Sequence, residues 1–314
     1  MSPFRTDLFL ILVLYFPFLI LLQSCTTKKE IVTPTVQTNT GFSITTNADT
    51  IPTATNDSLP TKADDSPVTP HVDTLPSLSM TTDKILNFTG LKGNNQGLLY
   101  NNKRIMLAYD IGGGNNRLVI YDYFTGAVLK EVPSLRIGHG AEIKYHKQNK
   151  LLFAINGGGG TLTHVYTVDI ESTKPSILRD YNLEQLGKAG IIALDEANNK
   201  FYVLSSATGD LGTHLITPVD IVTGIPDLSN QFRLPNLGIP QGAVFHKGRI
   251  YFLLGKNSTI IAAINPATKS LEKVVTMPDT AEPEGLDIVD DIYSYPKFVV
   301  GYVGSKVYTY NLRF

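Results

Sequence analysis

From about residue 83 onward the chain alternates short apolar runs with Gly, Asn and Asp. Such runs, bounded by turn residues at regular intervals, predict β-strands in an all-β fold. They fall into groups of four. Strands are expected at 97–100, 104–109, 117–121 and 127–131, then at 141–145, 151–155, 164–169 and 176–179. A third group covers 191–194, 200–204, 214–219 and 231–234, and a fourth covers 243–245, 249–254, 260–264 and 271–276. Each group reads as a four-stranded meander. A fifth group offers 286–289, 298–302 and 306–311 and then lacks its outer strand. The segment Lys84-Ile85-Leu86-Asn87-Phe88 stands unpaired ahead of the first group and is expected to fill that gap.

Every group opens on the same phrase, in which Gly precedes an apolar strand. The copies are Gln96-Gly97-Leu98, His139-Gly140-Ala141, Ala189-Gly190-Ile191, Gln241-Gly242-Ala243 and Glu284-Gly285-Leu286. With glycines at 97, 140, 190, 242 and 285, successive copies lie 43 to 52 residues apart. That period matches or slightly exceeds the blade length of propeller repeats. The turns before each fourth strand also rhyme, as in Asp122-Tyr123-Phe124-Thr125-Gly126 and Asp220-Ile221-Val222-Thr223-Gly224. An Asp that bonds its own turn, followed by a permissive Gly, favours a tight reversal. The expected architecture is a five-bladed β-propeller of four-stranded meanders over residues 83–314. The N-terminal strand closes the ring and so removes exposed sheet edges. A β-sandwich would share the strands but has no need of the period.

The stretch from Asn95 to Asp169, with Gln96-Gly97 and Gly138-His139-Gly140, resembles the five-bladed propellers of the teichoic-acid biosynthesis protein TagC type. Those are related to phage receptor-binding propellers and helveticin-like bacteriocins. Glu282-Pro283-Glu284-Gly285-Leu286-Asp287 also resembles blade starts of esterase-like and phytase-like propellers. The resemblance implies the fold and a surface-binding character. It carries over no catalytic residue.

Net charge is −1 and no basic block is present, which argues against an electrostatically driven nucleic-acid partner. The single cysteine, Cys25, excludes an internal disulfide and a thiolate metal cluster. Its position suggests another use. Arg5 precedes an apolar run from Leu8 to Leu22, short for a membrane span and interrupted by Pro17. The run ends in Leu22-Gln23-Ser24-Cys25, which resembles the lipobox of bacterial lipoproteins. That resemblance implies a signal peptide over 1–24, acylation of Cys25 and a membrane partner through the lipid. Thr26 stands where Asp would resemble an inner-membrane retention signal, so the outer membrane is expected in a Gram-negative cell. Lys28-Lys29-Glu30 resembles the surface-export signals of some Bacteroidetes lipoproteins. Residues 25–82 are rich in Thr, Pro, Ser and Asp, with few aromatics, and predict a disordered linker. Asp49-Thr50-Ile51, Asp57-Ser58-Leu59 and Asp73-Thr74-Leu75 in it resemble Bacteroidetes O-glycosylation sites.

In a propeller, the inner-strand starts and the loops between second and third strands share one face. That face is expected to gather Gln96, His139, His164, His214, Gln241 and Glu284 as ligand-binding candidates around a central channel. The third copy brings only Ala189, so a ligand would sit off-centre. The same side chains would equally serve to satisfy backbone groups at blade junctions. Glu142 and Asp287 occupy inner-strand slots that hold Leu99, Ile192 and Val244 in the other blades. A carboxylate there needs water, a partner or a metal such as Ca²⁺ or Mg²⁺. No nucleotide loop, nucleophile elbow or His-Glu-x-x-His helix is present. Three functions remain open. The first is a non-catalytic binding or scaffolding lipoprotein for glycan, envelope polymer or a protein partner. The second is a metal-assisted hydrolase of lactonase or phosphoesterase type, and the third is a structural part of an envelope complex.

Overall fold

The computed structural model describes residues 77–80, 82–88, 94–158, 160–206, 213–255, 258–278 and 281–311. The signal segment, Cys25, the candidate glycosylation sites and most of the linker lie outside them.

The expected ring forms. The first blade runs outward through β3 (Asn94–Asn101), β4 (Arg104–Gly112), β5 (Asn115–Asp122) and β6 (Val128–Leu135). The second comprises β7 (Glu142–His146), β8 (Leu151–Ile155), β9 (His164–Asp169) and β10 (Ser176–Asn182). The third comprises β11 (Lys188–Asp195), β12 (Lys200–Ser206), β13 (His214–Asp220) and the short β14 (Phe232–Leu234). The fourth comprises β15 (Ile239–His246), β16 (Arg249–Gly255), β17 (Ile260–Asn265) and β18 (Ser270–Thr276). The fifth comprises β19 (Pro283–Val289), β20 (Lys297–Tyr302) and β21 (Lys306–Asn311). Its outer strand is β2 (Thr82–Asn87), antiparallel to β21, so the N-terminal strand closes the ring as its position suggested. One strand was not anticipated. β1 (Ser77–Ser79) pairs parallel with β18, so strand pairing begins ahead of residue 83. Its short sequence carries no strand pattern; the free edge of β18 supplies the partner.

The inner strands β3, β7, β11, β15 and β19 pack side by side, and β19 returns against β3. Alternation along each strand feeds both neighbouring blades. Leu98 joins the cluster shared with the fifth blade, whereas Leu99 joins the cluster shared with the second. Likewise Leu152 and Ala154 face the first blade and Phe153 faces the third. Strands buried on both faces read as continuous apolar runs, which is why Leu151-Leu152-Phe153-Ala154-Ile155 shows no polar alternation.

The repeated Gly has a packing cause. At Gly97 a Cβ would stand 2.7 Å from the Gly140 carbonyl oxygen of the next blade. At Gly242 it would stand 2.6 Å from the Leu286 nitrogen. At Gly97, Gly242 and Gly285 neighbouring inner strands approach too closely for any side chain; at Gly190 the obstacle is the Leu204 carbonyl of the blade's own second strand, and at Gly140 it is the Asn116 side chain. In β3, β11, β15 and β19 the ladder slips at this point, at Asn95/Gly97, Ala189/Ile191, Pro240/Gly242 and Pro283/Leu286. Such bulges occur at barrel rims and re-aim side chains. Gln96 and Gln241 are the extra residues of their bulges, and Glu284 lies within its own.

The rhyming turns form as expected. The Asp122 carboxylate accepts from the Phe124 and Thr125 N–H groups, and that of Asp220 from the Thr223 N–H. Between blades, Lys130 donates to the Ile170 and Ser172 carbonyls, and Arg179 to those of Val222 and Thr223. Outer strands are thus clamped to the following blade's turn.

Candidate functional site

A cavity of about 240 Å³ opens where the inner strands begin. Gln96, His139, Gln241 and Glu284 all line it, with Glu282 at its edge and Ala189-Gly190 on the third-blade side. Four of the six expected ligand-binding residues are therefore brought together, and the third blade contributes no polar side chain. The two others are placed elsewhere. His164, entering β9, is held by Asp180 on β10 at 2.9 Å and by Glu184 at 3.2 Å. Burial would lower its pKa, but the two carboxylates outweigh burial and raise it. His214 is buried at the start of β13, opposite Leu234 of β14. Neither lines this cavity. Equivalent chain position puts a residue on the right blade and level; strand pairing decides which way it faces.

Glu284 is only 6% exposed and Gln96 only 8%. Among the described residues, no group hydrogen-bonds the Glu284 carboxyl or the side-chain amides of Gln96 and Gln241. Burial pushes the Glu284 carboxyl up to about 8, and the charge of nearby Glu282 adds to the push. His139 is anchored differently. Its Nδ1 lies 2.7 Å from Asp110 on β4, which sets the ring's orientation and leaves Nε2 as its other polar atom. Asn116 on β5 donates to the His139 carbonyl at 3.0 Å. Asp110 escaped the sequence reading; its only signal is a polar residue flanking the Gly-rich turn at the end of β4. Asn116 ends the first blade's loop between second and third strands, which was expected on this face.

Glu142 and Asp287 sit deeper on the axis and are fully engaged. Glu142 accepts from Lys144 at 2.9 Å and from the Ala243 N–H at 2.6 Å. Lys144 also donates to the Leu286 carbonyl at 2.7 Å, so one ion pair joins the second, fourth and fifth blades. Asp287 accepts from the Tyr100 and Ile288 N–H groups, both at 2.8 Å, and joins the fifth blade to the first. Burial raises both carboxyls against the pull of Lys144. A cation would have to displace these donors. Among the described residues, no three or more His, Cys, Asp or Glu side chains are arranged to hold a metal ion.

A second cavity, of about 250 Å³, lies where the inner strands end and is lined by Tyr100, Lys144, Glu196, His246, Asp287 and Asp291, among others. Its charged groups mostly have partners in the chain. Asp291 accepts from the Tyr100 hydroxyl at 2.5 Å, and Glu196 from the Lys147 N–H at 3.0 Å. The buried Nε2 of His246 has no partner there among the described residues; at the strand starts the open groups are the Glu284 carboxyl and the Gln96 and Gln241 amides.

No protein-family model matches the sequence, and no curated protein is significantly similar to it. Solved structures are. A glutaminyl cyclase of Myxococcus xanthus superposes with a TM-score of 0.53 at 11% identity, covering 75% of this chain and 98% of that one. The tail fibre of Staphylococcus aureus phage P68 superposes with a TM-score of 0.50 at 15% identity. That match covers 74% of this chain and 52% of the fibre chain, so this protein spans about half the fibre's length. What is shared is the fold. The five-bladed ring is common ground between an enzyme and a fibre, and it decides between neither role.

Proposed function

We propose that this protein is a binding module of the cell envelope, which seats a compact polar ligand at the inner-strand-start mouth of its propeller without transforming it. The observation that carries the reading is the convergence of Gln96, Gln241 and Glu284, none with a hydrogen-bond partner, on one cavity. Buried polar groups are ordinarily satisfied by protein or water. Gln96 and Glu284 are buried and Gln241 half-buried, and three polar groups that open together on one cavity without a partner among the described residues are available to a ligand. A terminal glycan residue or a similar piece of envelope polymer, rich in donors and of matching size, fits such a cavity. The test is a calorimetric screen of mono- and disaccharides on the full chain in detergent. Gln96→Ala/Gln241→Ala should weaken any hit at least tenfold while leaving the melting temperature unchanged. Equal binding by the double variant would remove the site from the account.

The same reading places the chain at a membrane through an acylated Cys25, in the outer membrane of a Gram-negative cell. It rests on the Leu22-Gln23-Ser24-Cys25 motif and on the run before it. Metabolic labelling with an alkyne fatty acid should mark the wild type and not Cys25→Ser; label persisting in the variant would refute the anchor.

One observation favours a second reading. A carboxyl raised to about 8 and an imidazole oriented by a carboxylate line the same cavity. Glu284 as acid and His139 as base could serve a proton-transfer reaction, as in an enzyme built on this fold. The glutaminyl cyclase neighbour makes that reading worth testing. Turnover lost in both Glu284→Gln and His139→Gln, with binding retained, would establish it over the binding module. A metal-assisted hydrolase centred on Glu142 and Asp287 would require both carboxylates to give up their present donors.

A further inference from the structure

We propose that the strand-start cavity recognises a primary ammonium group on its ligand, received by the Glu284 carboxylate together with the side-chain oxygens of Gln96 and Gln241. This inference rests on the binding role proposed above and names the chemistry of the group bound. It follows from what lines the cavity and what does not. Glu284 is 6% exposed and has no donor among the described residues. A buried carboxyl without donors is costly when charged, and remains so until something supplies them. Among the described residues, the titratable groups around it are Glu282, just ahead of its strand, and His139, with Asp110 behind it, from the second and first blades. Among the described residues no Lys or Arg side chain lines the cavity. Lys188, on the neighbouring third-blade strand, donates its ammonium to the Gly160 carbonyl. Phosphate, sulfate and carboxylate ligands would therefore find two acidic side chains and, among the described residues, no lysine or arginine.

The donor count points the same way. An ammonium offers three donors and no acceptor. Glu284, Gln96 and Gln241 offer three acceptors from three blades, the two amides being able to turn their oxygens inward. A neutral hydroxyl brings one donor and leaves part of this set unsatisfied, whereas an ammonium brings three and stabilises the ionised form of the carboxyl. Burial holds the empty carboxyl protonated at neutral pH. Binding an ammonium then displaces that proton to solvent, so uptake of the amine and release of one proton are coupled. Affinity should rise with pH on approach to about 8 as the carboxyl ionises, and fall again above it as the ligand's own ammonium, an α-amino type of group, loses its proton. Histidine also titrates in this range, so His139→Gln must be examined in parallel.

The experiment is titration calorimetry on the full chain in detergent with four probes: glucosamine, N-acetylglucosamine, glycinamide and N-acetylglycinamide. At pH 7, where the free amines are still largely ammonium, at least one of them should bind tenfold or more tighter than its acetylated partner. Which amine wins tells an amino sugar from an amino-acid amide. Heats measured in buffers of different ionisation enthalpy should show about one proton released near pH 7. The release should vanish in Glu284→Gln and persist in His139→Gln. Acetylated and free forms binding equally would overturn the ammonium inference while leaving the polar-ligand site intact. Binding of neither amine, with saccharide hits retained in the broader screen, would overturn it as well. Loss of both amine and saccharide binding would take the parent reading down with it.

Discussion

Three acidic side chains lie close to the propeller axis, and their environments differ. Glu142 has a lysine and a backbone N–H, and Asp287 has two backbone N–H groups. Among the described residues Glu284 has none. Burial raises all three carboxyls, and for Glu284, the one that lines the strand-start cavity, the consequence is measurable. Because its folded-state pKa is raised, the native chain keeps a proton that the unfolded chain has lost between pH 4.5 and about 8. That contribution to stability is fully present below 4.5 and is lost as pH climbs through about 8. The slope is at most about 1.4 kcal/mol per pH unit. Thermal melts of Glu284→Gln should decline less steeply than wild type between these values; parallel curves would assign the proton elsewhere. The sequence exposed Glu142 and Asp287 as oddities, since each fills a slot that is apolar in other blades. It could not show that they are satisfied. One donor of each is local, Lys144 and Ile288, but the other comes from Ala243 or Tyr100, far along the chain, and is invisible to local pattern. The same limit left unread the partners of His164 on and just after the neighbouring strand.

At the level of single elements, the Gly phrase is the clearest case of a pattern whose cause lies outside its own strand. At Gly97, Gly242 and Gly285 it marks where inner strands of adjacent blades touch, and the residue before it is thrown toward the mouth by a bulge. The sequence therefore displayed both the architectural constant, Gly, and the functional variable, the residue ahead of it. The strap β1 was not legible, because a three-residue parallel strand is defined by the edge it meets. Clamps between blades were equally hidden. Arg179 stacks over Tyr181 at 4.2 Å and donates to the carbonyls of the turn that begins the next outer segment. Removing these charge-assisted bonds costs about 1.5–3 kcal/mol each where the acceptors are left dry, and less at this partly exposed site. Arg179→Ala should lower the urea midpoint by the equivalent of about 1–2 kcal/mol at unchanged slope. A change below a few tenths would mean that water replaces the clamp.

For the whole molecule, the period of the repeat was enough to give the ring, its five blades and its closure by a strand from the start of the domain. Period survives where sequence similarity does not, because every blade must bury both faces and approach its neighbours at the same depth. Function has no such periodicity. The proposed site lies where the fivefold pattern is broken, with Gln, His, Gln and Glu on four blades and Ala on the third, and it takes the assembled ring to show which of those side chains lack a partner among the described residues. The most direct test is a crystallographic soak of the protein with a panel of small amines, amides and saccharides. The account predicts density in the strand-start cavity, within hydrogen-bonding distance of Glu284 and at least one of Gln96 and Gln241. Ligands seated in the opposite mouth beside Tyr100 and Asp291, with only water against Glu284, would contradict it.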